Sequence, residues 1–162
     1  MPTKKLRPLW RCPKCGARFV TANMWHSCGK FTLEDLFAKS EPHVLPLFRK
    51  FAAFVRRCGR GVVMIPQKTR VVFMERVRFA GATPRKDGFV THFILPQPII
   101  HSRIVKHDFY PPRLHANHVR ITSAKDLDAE LLGWLREAHA WYGQQGQLAE
   151  RRARQPSGSE RL

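Results

Sequence analysis

The stretch Val71-Val-Phe-Met-Glu-Arg-Val-Arg-Phe79 has the two-residue period of a β-strand. Four of its apolar residues fall on one face of such a strand, whereas Arg76 and Arg78 fall on the other. One apolar and one cationic face are typical of an antiparallel sheet that is packed on one side only. Further strands are expected at residues 62–65, 89–95, 99–107 and 118–121, with turns at Ala80-Gly81 and Asp87-Gly88. The pattern predicts an antiparallel sheet of about five strands.

Helical periodicity lies on both sides of this strand region. Apolar residues recur at helical spacing between residues 44 and 55, and Ser40 is expected to cap the start of that helix. Thr32 and Asp35 indicate a short helix before it. Residues 126–142 carry an apolar stripe typical of an amphipathic helix that lies on a sheet. The predicted fold class is therefore α+β, with two or three helices packed on the sheet.

The charge of the chain is strongly positive. Its 162 residues (18.8 kDa) include 29 Lys and Arg against 12 Asp and Glu, a formal net charge of +17. Residues 1–30 hold seven basic residues and no acidic one, and residues 59–122 hold eleven basic and three acidic. Such an excess favours a polyanionic partner, with nucleic acid ahead of an acidic membrane surface.

Membrane insertion and secretion are not expected. No apolar run approaches the roughly 20 residues of a spanning helix, and residues 1–9 lack the apolar core of a secretory signal. A cytoplasmic protein is therefore expected.

We divide the chain into a basic zinc-binding segment (1–30), an α+β domain (31–146) and a disordered basic tail (147–162).

Cysteines and a histidine are clustered near the N-terminus. Cys12-Pro-Lys-Cys15-Gly is a turn typical of zinc sites, and His26-Ser-Cys28-Gly follows ten residues later. The predicted ligands are Cys12, Cys15, His26 and Cys28, and Cys58 is an alternative to His26. The other interpretation is a set of free thiols with His26 in a small core. A zinc ion with four protein ligands has no open position, so its role would be structural.

The strand region also predicts a cationic surface. Arginine suits this role because its planar guanidinium forms two parallel hydrogen bonds to phosphate. A solvated outer face without a ligand is the alternative. The candidate anion-binding or nucleic-acid-binding residues are Lys68, Arg70, Arg76, Arg78, Arg103 and Arg120.

No catalytic residue is predicted. The five histidines between residues 92 and 118 have only three acidic residues near them in the sequence, so a second metal site is disfavoured. Motifs of a serine or cysteine nucleophile and a carboxylate cluster for magnesium are absent from the sequence. A non-enzymatic protein is therefore expected.

Four stretches of the body carry a family resemblance. They are Ile65-Pro-Gln-Lys-Thr-Arg70-Val-Val-Phe73, Arg78-Phe79-Ala80, His118-Val-Arg120-Ile, and Leu127-Asp128 through Trp134-Leu-Arg-Glu-Ala138. On these residues the body, about 31–142, resembles the bacterial family catalogued as domain of unknown function 5655. That family is similar to the YdhG-like small α+β domains, and some members stand next to nuclease domains. The resemblance implies a compact fold of helices and a sheet, and it implies no established activity.

The functional expectation is a non-enzymatic, zinc-containing basic module that binds DNA or RNA through phosphates. Trp10, Phe19 and Trp25 either stack on bases or form a small core around the metal site. The first alternative is a pocket for a small anion or a nucleotide, built on Lys68, Arg70, Arg78 and Arg120. An adaptor that recognises an acidic protein is the second.

Overall fold

A computed structural model describes residues 8–20, 22–24, 26, 28 and 31–144. The predicted α+β fold is confirmed, with a six-stranded antiparallel sheet, three α-helices and a small two-stranded N-terminal sheet. The helices are α1 (Leu33–Leu36), α2 (Val44–Arg56) and α3 (Ala129–Ala138). The strands are β1 (Trp10–Arg11), β2 (Arg18–Phe19), β3 (Val63–Pro66), β4 (Val71–Met74), β5 (Arg78–Pro84), β6 (Phe89–Leu95), β7 (Ile104–Tyr110) and β8 (Leu114–Ile121).

The six-stranded sheet has the order β3-β4-β5-β6-β8-β7 and is antiparallel throughout. Along β6, residues alternate between buried and half-buried positions from Phe89 to Leu95, as expected for a sheet packed on one face. All three helices contribute apolar side chains to the core on that buried face. The opposite face of the sheet therefore remains available for a ligand.

Helix α2 is held on the sheet by aromatic packing. Phe48 and Phe51 are fully buried four and seven residues after Val44, on the same stripe of the helix. Phe51 meets the ring of Phe73 edge-on at 5.8 Å, and Phe48 meets that of Phe89 edge-on at 5.5 Å. The periodicity of residues 44–55 therefore predicted both the helix and its buried side.

Of the two predicted helix caps, one is confirmed and the other is wrong. Thr32 caps α1 as expected, because its hydroxyl accepts a hydrogen bond from the backbone N–H of Asp35. Ser40 does not cap α2, which begins at Val44. The Ser40 hydroxyl donates instead to the carbonyl oxygen of Arg85 in the β5–β6 turn, at 2.7 Å.

The alternation of residues 71–79 predicted one continuous strand, and this prediction is wrong. Strand β4 ends at Met74 and β5 begins at Arg78. The backbone N–H groups of Arg76 and Val77 donate to the carbonyl oxygen of Gly143, at 3.0 and 3.2 Å, rather than to a neighbouring strand. The interruption ends the alternation, so the two arginines do not share one strand face.

The remaining boundaries shift by a few residues. Ala80-Gly81 lies inside β5 and forms no turn, whereas the Asp87-Gly88 turn is present, with the Arg85 N–H donating to the Gly88 carbonyl at 2.8 Å. The predicted C-terminal helix is α3, capped by the Asp128 side chain, followed by a wider π-helical turn at His139–Gly143.

Two further expectations concern the ends of the chain. The predicted tail, residues 147–162, lies outside the described residues, and so does Trp25. Among the residues that the structure describes, none of the helices combines the length and the apolar character needed to cross a membrane.

Candidate functional site

The ligand atoms of Cys12, Cys15, His26 and Cys28 all lie within 4.8 Å of one another. The sulfur atoms of Cys12 and Cys28 are 3.7 Å apart, and Nε2 of His26 is 3.1 Å from the sulfur of Cys15. Cys12 and Cys15 stand in the turn between β1 and β2, where Gly16 takes the left-handed φ of 76° that favours glycine. These four residues, the metal cluster, could hold a metal ion.

Hydrogen bonds around the metal cluster favour His26 and Cys12 as metal ligands. The Nδ1–H of His26 donates to the carbonyl oxygen of Met24 at 2.7 Å, which leaves the Nε2 lone pair free for a metal. Burial raises the pKa of Cys12, but the backbone N–H groups of Cys15 and Lys14 outweigh it and bring that pKa to about 6. A histidine fixed in this tautomer and a readily ionised thiol are both suited to a metal ligand.

Aromatic side chains pack around the metal cluster. The buried ring of Phe19 lies 4.6 Å from that of His26, and Trp10 lies 6.2 Å from Phe19. Of the three aromatic residues considered for base stacking, these two therefore belong to a small core. Cys58, the alternative ligand, is not part of the cluster. It packs against the main core, where burial raises the pKa of its thiol to about 11.

A cavity of about 430 Å³ lies on the sheet face opposite the helices. We call it the cationic cavity, because Arg70, Arg78 and Lys106 line it. Its floor follows one row of paired residues across the sheet, which are Val72, Gly81, His92, His118 and Lys106. The antiparallel register thus brings together residues that are distant in the sequence.

The two arginines of the cationic cavity have no acidic partner among the described residues. The Nε of Arg70 donates to the side-chain oxygen of Gln67 at 3.2 Å, and Arg78 makes no ion pair with any residue that the structure describes. Burial lowers the pKa of Arg78, and the nearby positive charge of Arg70 lowers it further. Like charges held together in this way favour an anion between them.

Asp108 is the single carboxylate among the described residues that line the cationic cavity, and it is already engaged. Asp108 lies 3.2 Å from Nζ of Lys106 and 3.0 Å from Nε2 of His118. The hydrogen bond from Lys106 lowers the pKa of Asp108 despite an opposing effect of burial. With neutral histidines, the side chains Arg70, Arg78, Lys106 and Asp108 leave a formal charge of +2 in the cavity.

Sequence reasoning predicted only Arg70 and Arg78 of this cavity, and the residues it missed include His92, Lys106 and Tyr142. The side chain of His92 covers Gly81, its partner on β5, and burial lowers its pKa to about 4, aided by the charges of His118 and Arg70. A polar residue between Thr91 and Phe93 was the available signal, because it must lie on the non-core face. No local sequence pattern indicates that Tyr142 lies at the cationic cavity.

Arg103 and Arg120 do not line the cationic cavity, contrary to the expectation that Arg103 joins this face. Arg103 pairs with Asp128 at 2.9 Å and stacks on Trp134 at 5.9 Å, so it belongs to the helix side of the sheet. Arg120 is exposed on the sheet face opposite the helices, but it pairs with Asp87 at 2.6 Å. Both arginines are therefore occupied by carboxylates.

Two other predicted residues lie at separate grooves. Lys68, in the β3–β4 turn, lines a groove of about 420 Å³ with Lys39 and Lys86. Arg76 and Arg78 line a second groove of about 420 Å³. It lies between the six-stranded sheet and the N-terminal unit, by which we mean the described residues between 8 and 28. We call this one the apolar groove, because its other lining residues are Phe19, Val20, Met24, Met74, Val77 and Tyr142.

Comparison with known proteins places most of these features in one family. The family model described as Domain of unknown function (DUF5655) matches residues 33–141. The chain belongs to the DUF5655 family. No curated protein and no solved structure matches it.

The DUF5655 region supplies the arginines, the lysine and both histidines of the cationic cavity. The metal cluster lies before this region, and only Tyr142 of the cavity lies after it. The apolar groove is therefore formed jointly by the DUF5655 domain and by the N-terminal unit that carries the metal cluster.

Proposed function

We propose that this chain is a non-enzymatic, zinc-containing module that binds nucleic acid through its phosphates. The observation that supports it is the pair Arg70 and Arg78, which line one cavity on the open sheet face without an acidic partner among the described residues. A guanidinium offers parallel hydrogen bonds to two phosphate oxygens. A phosphate between the two arginines would also relieve their mutual repulsion.

The overall charge supports a polyanion as the ligand. A formal +17 on 162 residues gives a field that attracts a long chain of phosphates and accelerates its association. The basic groove at Lys68 lies at another part of the surface and would contact phosphates further along such a chain. Binding would be sequence-tolerant, because phosphate contacts fix position without reading bases.

Zinc is the proposed occupant of the metal cluster. Thiolate and imidazole ligands in a Cys₃His set are typical of structural zinc. The 3.7 Å between the sulfur atoms of Cys12 and Cys28 is close to the edge of a tetrahedron with Zn–S bonds of about 2.3 Å, which is about 3.8 Å. Because four protein ligands fill the tetrahedron, the zinc would hold the N-terminal unit together and would not activate water.

Salt dependence of binding tests the phosphate contacts. The affinity for duplex DNA should fall with salt, and each lost phosphate contact should make the log–log slope shallower by about 0.9. Arg70→Gln together with Arg78→Gln should therefore reduce the slope by up to about 1.8. Arg120→Gln is the matched control. It removes one positive charge from the same face, half of what the double variant removes, and Asp87 already occupies that guanidinium.

An unchanged slope in the double variant, at equal folded fraction, would refute the cavity as a phosphate site. A shift no larger than twice that of Arg120→Gln would refute it as well, since the general loss of charge would then explain the effect. Polyglutamate that binds more tightly than DNA of equal length would indicate an acidic protein as the partner.

A pocket for a small anion or mononucleotide is the second candidate. The observation that favours it is the volume of the cationic cavity, about 430 Å³, which is in the range of small-molecule sites. Calorimetric titration with inorganic phosphate and with a nucleoside monophosphate distinguishes the two. Tight, nearly salt-independent binding of the monophosphate, without tighter binding of oligonucleotides, would favour the second candidate over the first.

A further inference from the structure

The cationic cavity and the apolar groove adjoin, because Arg78 and Tyr142 line both. One is polar and positive, and the other is walled mostly by apolar side chains. A nucleotide has the same two parts, an anionic phosphate and a flat base with apolar faces. We propose that the two form one composite site for an unpaired nucleotide, so that the chain binds single-stranded nucleic acid. This inference rests on the proposed phosphate binding and extends it to the base.

The position of Arg78 supports a phosphate at the junction. Its guanidinium lies 6.0 Å from the centre of the Phe19 ring, a cation–π contact between the sheet and the N-terminal unit. The same side chain reaches the cavity that holds Arg70. A phosphate bound to both arginines would therefore place the attached sugar beside the opening of the apolar groove.

The walls of the apolar groove suit a base without selecting its identity. Met24 is 42% exposed and Val20 47% exposed, although both are apolar. Their surfaces favour contact with the face of a base, and such contact tolerates every base. The Tyr142 hydroxyl, whose pKa is raised by burial and which is thus uncharged at neutral pH, can hydrogen-bond a base edge or a sugar.

An unpaired nucleotide can occupy both parts of the composite site, whereas a duplex can offer only its phosphates to the cationic cavity. In a duplex, both faces of each base are stacked and its edge is paired, so no base can enter the groove without being extruded. A single strand presents its bases freely and keeps its phosphates. None of these contacts requires a 2′-hydroxyl, so single-stranded DNA and RNA should both bind.

The test compares a single-stranded oligothymidylate with an abasic oligomer of equal length, by fluorescence anisotropy with the full chain at fixed salt. The two probes carry the same phosphates, and only the first carries bases. The parent protein should bind the oligothymidylate about tenfold more tightly. Met24→Ser should reduce this preference to about twofold or less, because it removes an exposed wall of the groove without changing charge.

Val105→Ser is the matched control, since Val105 is apolar and 57% exposed on β7 but does not line the groove. It should retain the full tenfold preference. Chelation of the bound metal gives an independent measurement, because Phe19 and Met24 belong to the unit that the metal cluster holds. Metal-free protein should lose the preference for bases and keep its salt-dependent binding to the abasic probe.

Equal binding of both probes by the parent would overturn the composite site and leave phosphate binding intact. Equal effects of Met24→Ser and Val105→Ser would also overturn it, because the base would then bind elsewhere. Absence of salt-dependent binding to either probe would instead refute the proposed function itself. The failure of one is thus distinguishable from the failure of the other.

Discussion

Replacement of Gly81 by alanine tests how tightly the floor of the cationic cavity is built. A β-carbon at this position would lie 2.5 Å from Cε1 of His92 and 2.8 Å from the carbonyl oxygen of Val71. The imidazole can turn aside, but the carbonyl belongs to the neighbouring strand and cannot. Overpacking of this kind destabilises by about 1–3 kcal/mol. The less flexible unfolded chain of the alanine variant offsets about 0.5–1 kcal/mol.

Because a backbone atom cannot give way, the cost of overpacking should lie in the upper half of that range, at about 2–3 kcal/mol. An offset of about 1 kcal/mol then leaves a net loss in the free energy of unfolding of about 1–2 kcal/mol. For a chain of this size, this corresponds to a fall in Tm of about 3–6 °C, measurable by circular dichroism. Gly133→Ala is the matched control, because its β-carbon would have no neighbour within 4 Å and Gly133 lies inside α3. That variant should gain about 1 kcal/mol from helix propensity.

The two alanine variants should thus move in opposite directions from the parent. If Gly81→Ala melts at the parent's temperature or above it, the close approach of β4, β5 and the His92 ring does not exist as described. The reasoning about the shape of the cavity floor would then be refuted, whatever the effect of Gly133→Ala.

Three further outcomes are expected. Cys12→Ser should abolish stoichiometric metal binding in elemental analysis, whereas Cys58→Ser should retain it, since Cys58 lies in the main core. Affinity for oligothymidylate should rise as pH falls below 6.5, because burial lowers the pKa of His118 from 6.5 despite the opposing effect of Asp108, and this side chain gains positive charge only in that range; His118→Gln should flatten this profile. Arg103→Gln should lower stability by about 1 kcal/mol through the lost Asp128 pair and leave the salt slope of DNA binding unchanged.

Local sequence patterns predicted the helices and strands of this fold better than the residues at which they begin and end. The helical period of residues 44–55 and the buried face of residues 89–95 depend on near neighbours, and both were recovered. The end of β4 depends on Gly143, which accepts hydrogen bonds from Arg76 and Val77 across almost half the chain. A partner so distant in sequence leaves no trace in the alternation itself.

The same difference applies to the candidate sites. The spacing of Cys12 and Cys15 reports a local turn, so the sequence could indicate a metal cluster directly. The state of an arginine depends on which carboxylate lies beside it. Arg103 and Arg120 meet acidic residues 25 and 33 positions away in the sequence, whereas Arg78 meets none among the described residues. Only the folded arrangement separates the occupied cations from the available ones.

The unneutralised pair Arg70 and Arg78 makes the stability of the protein depend on its medium. Folding brings the two guanidiniums together, so any solute anion that settles between them binds the folded state and not the unfolded one. Buffers of phosphate or sulfate should therefore act as stabilising ligands that chloride cannot replace. Melting temperatures of variants are comparable only at one fixed anion, and storage in sulfate would protect the protein while masking the surface that a nucleic acid would occupy.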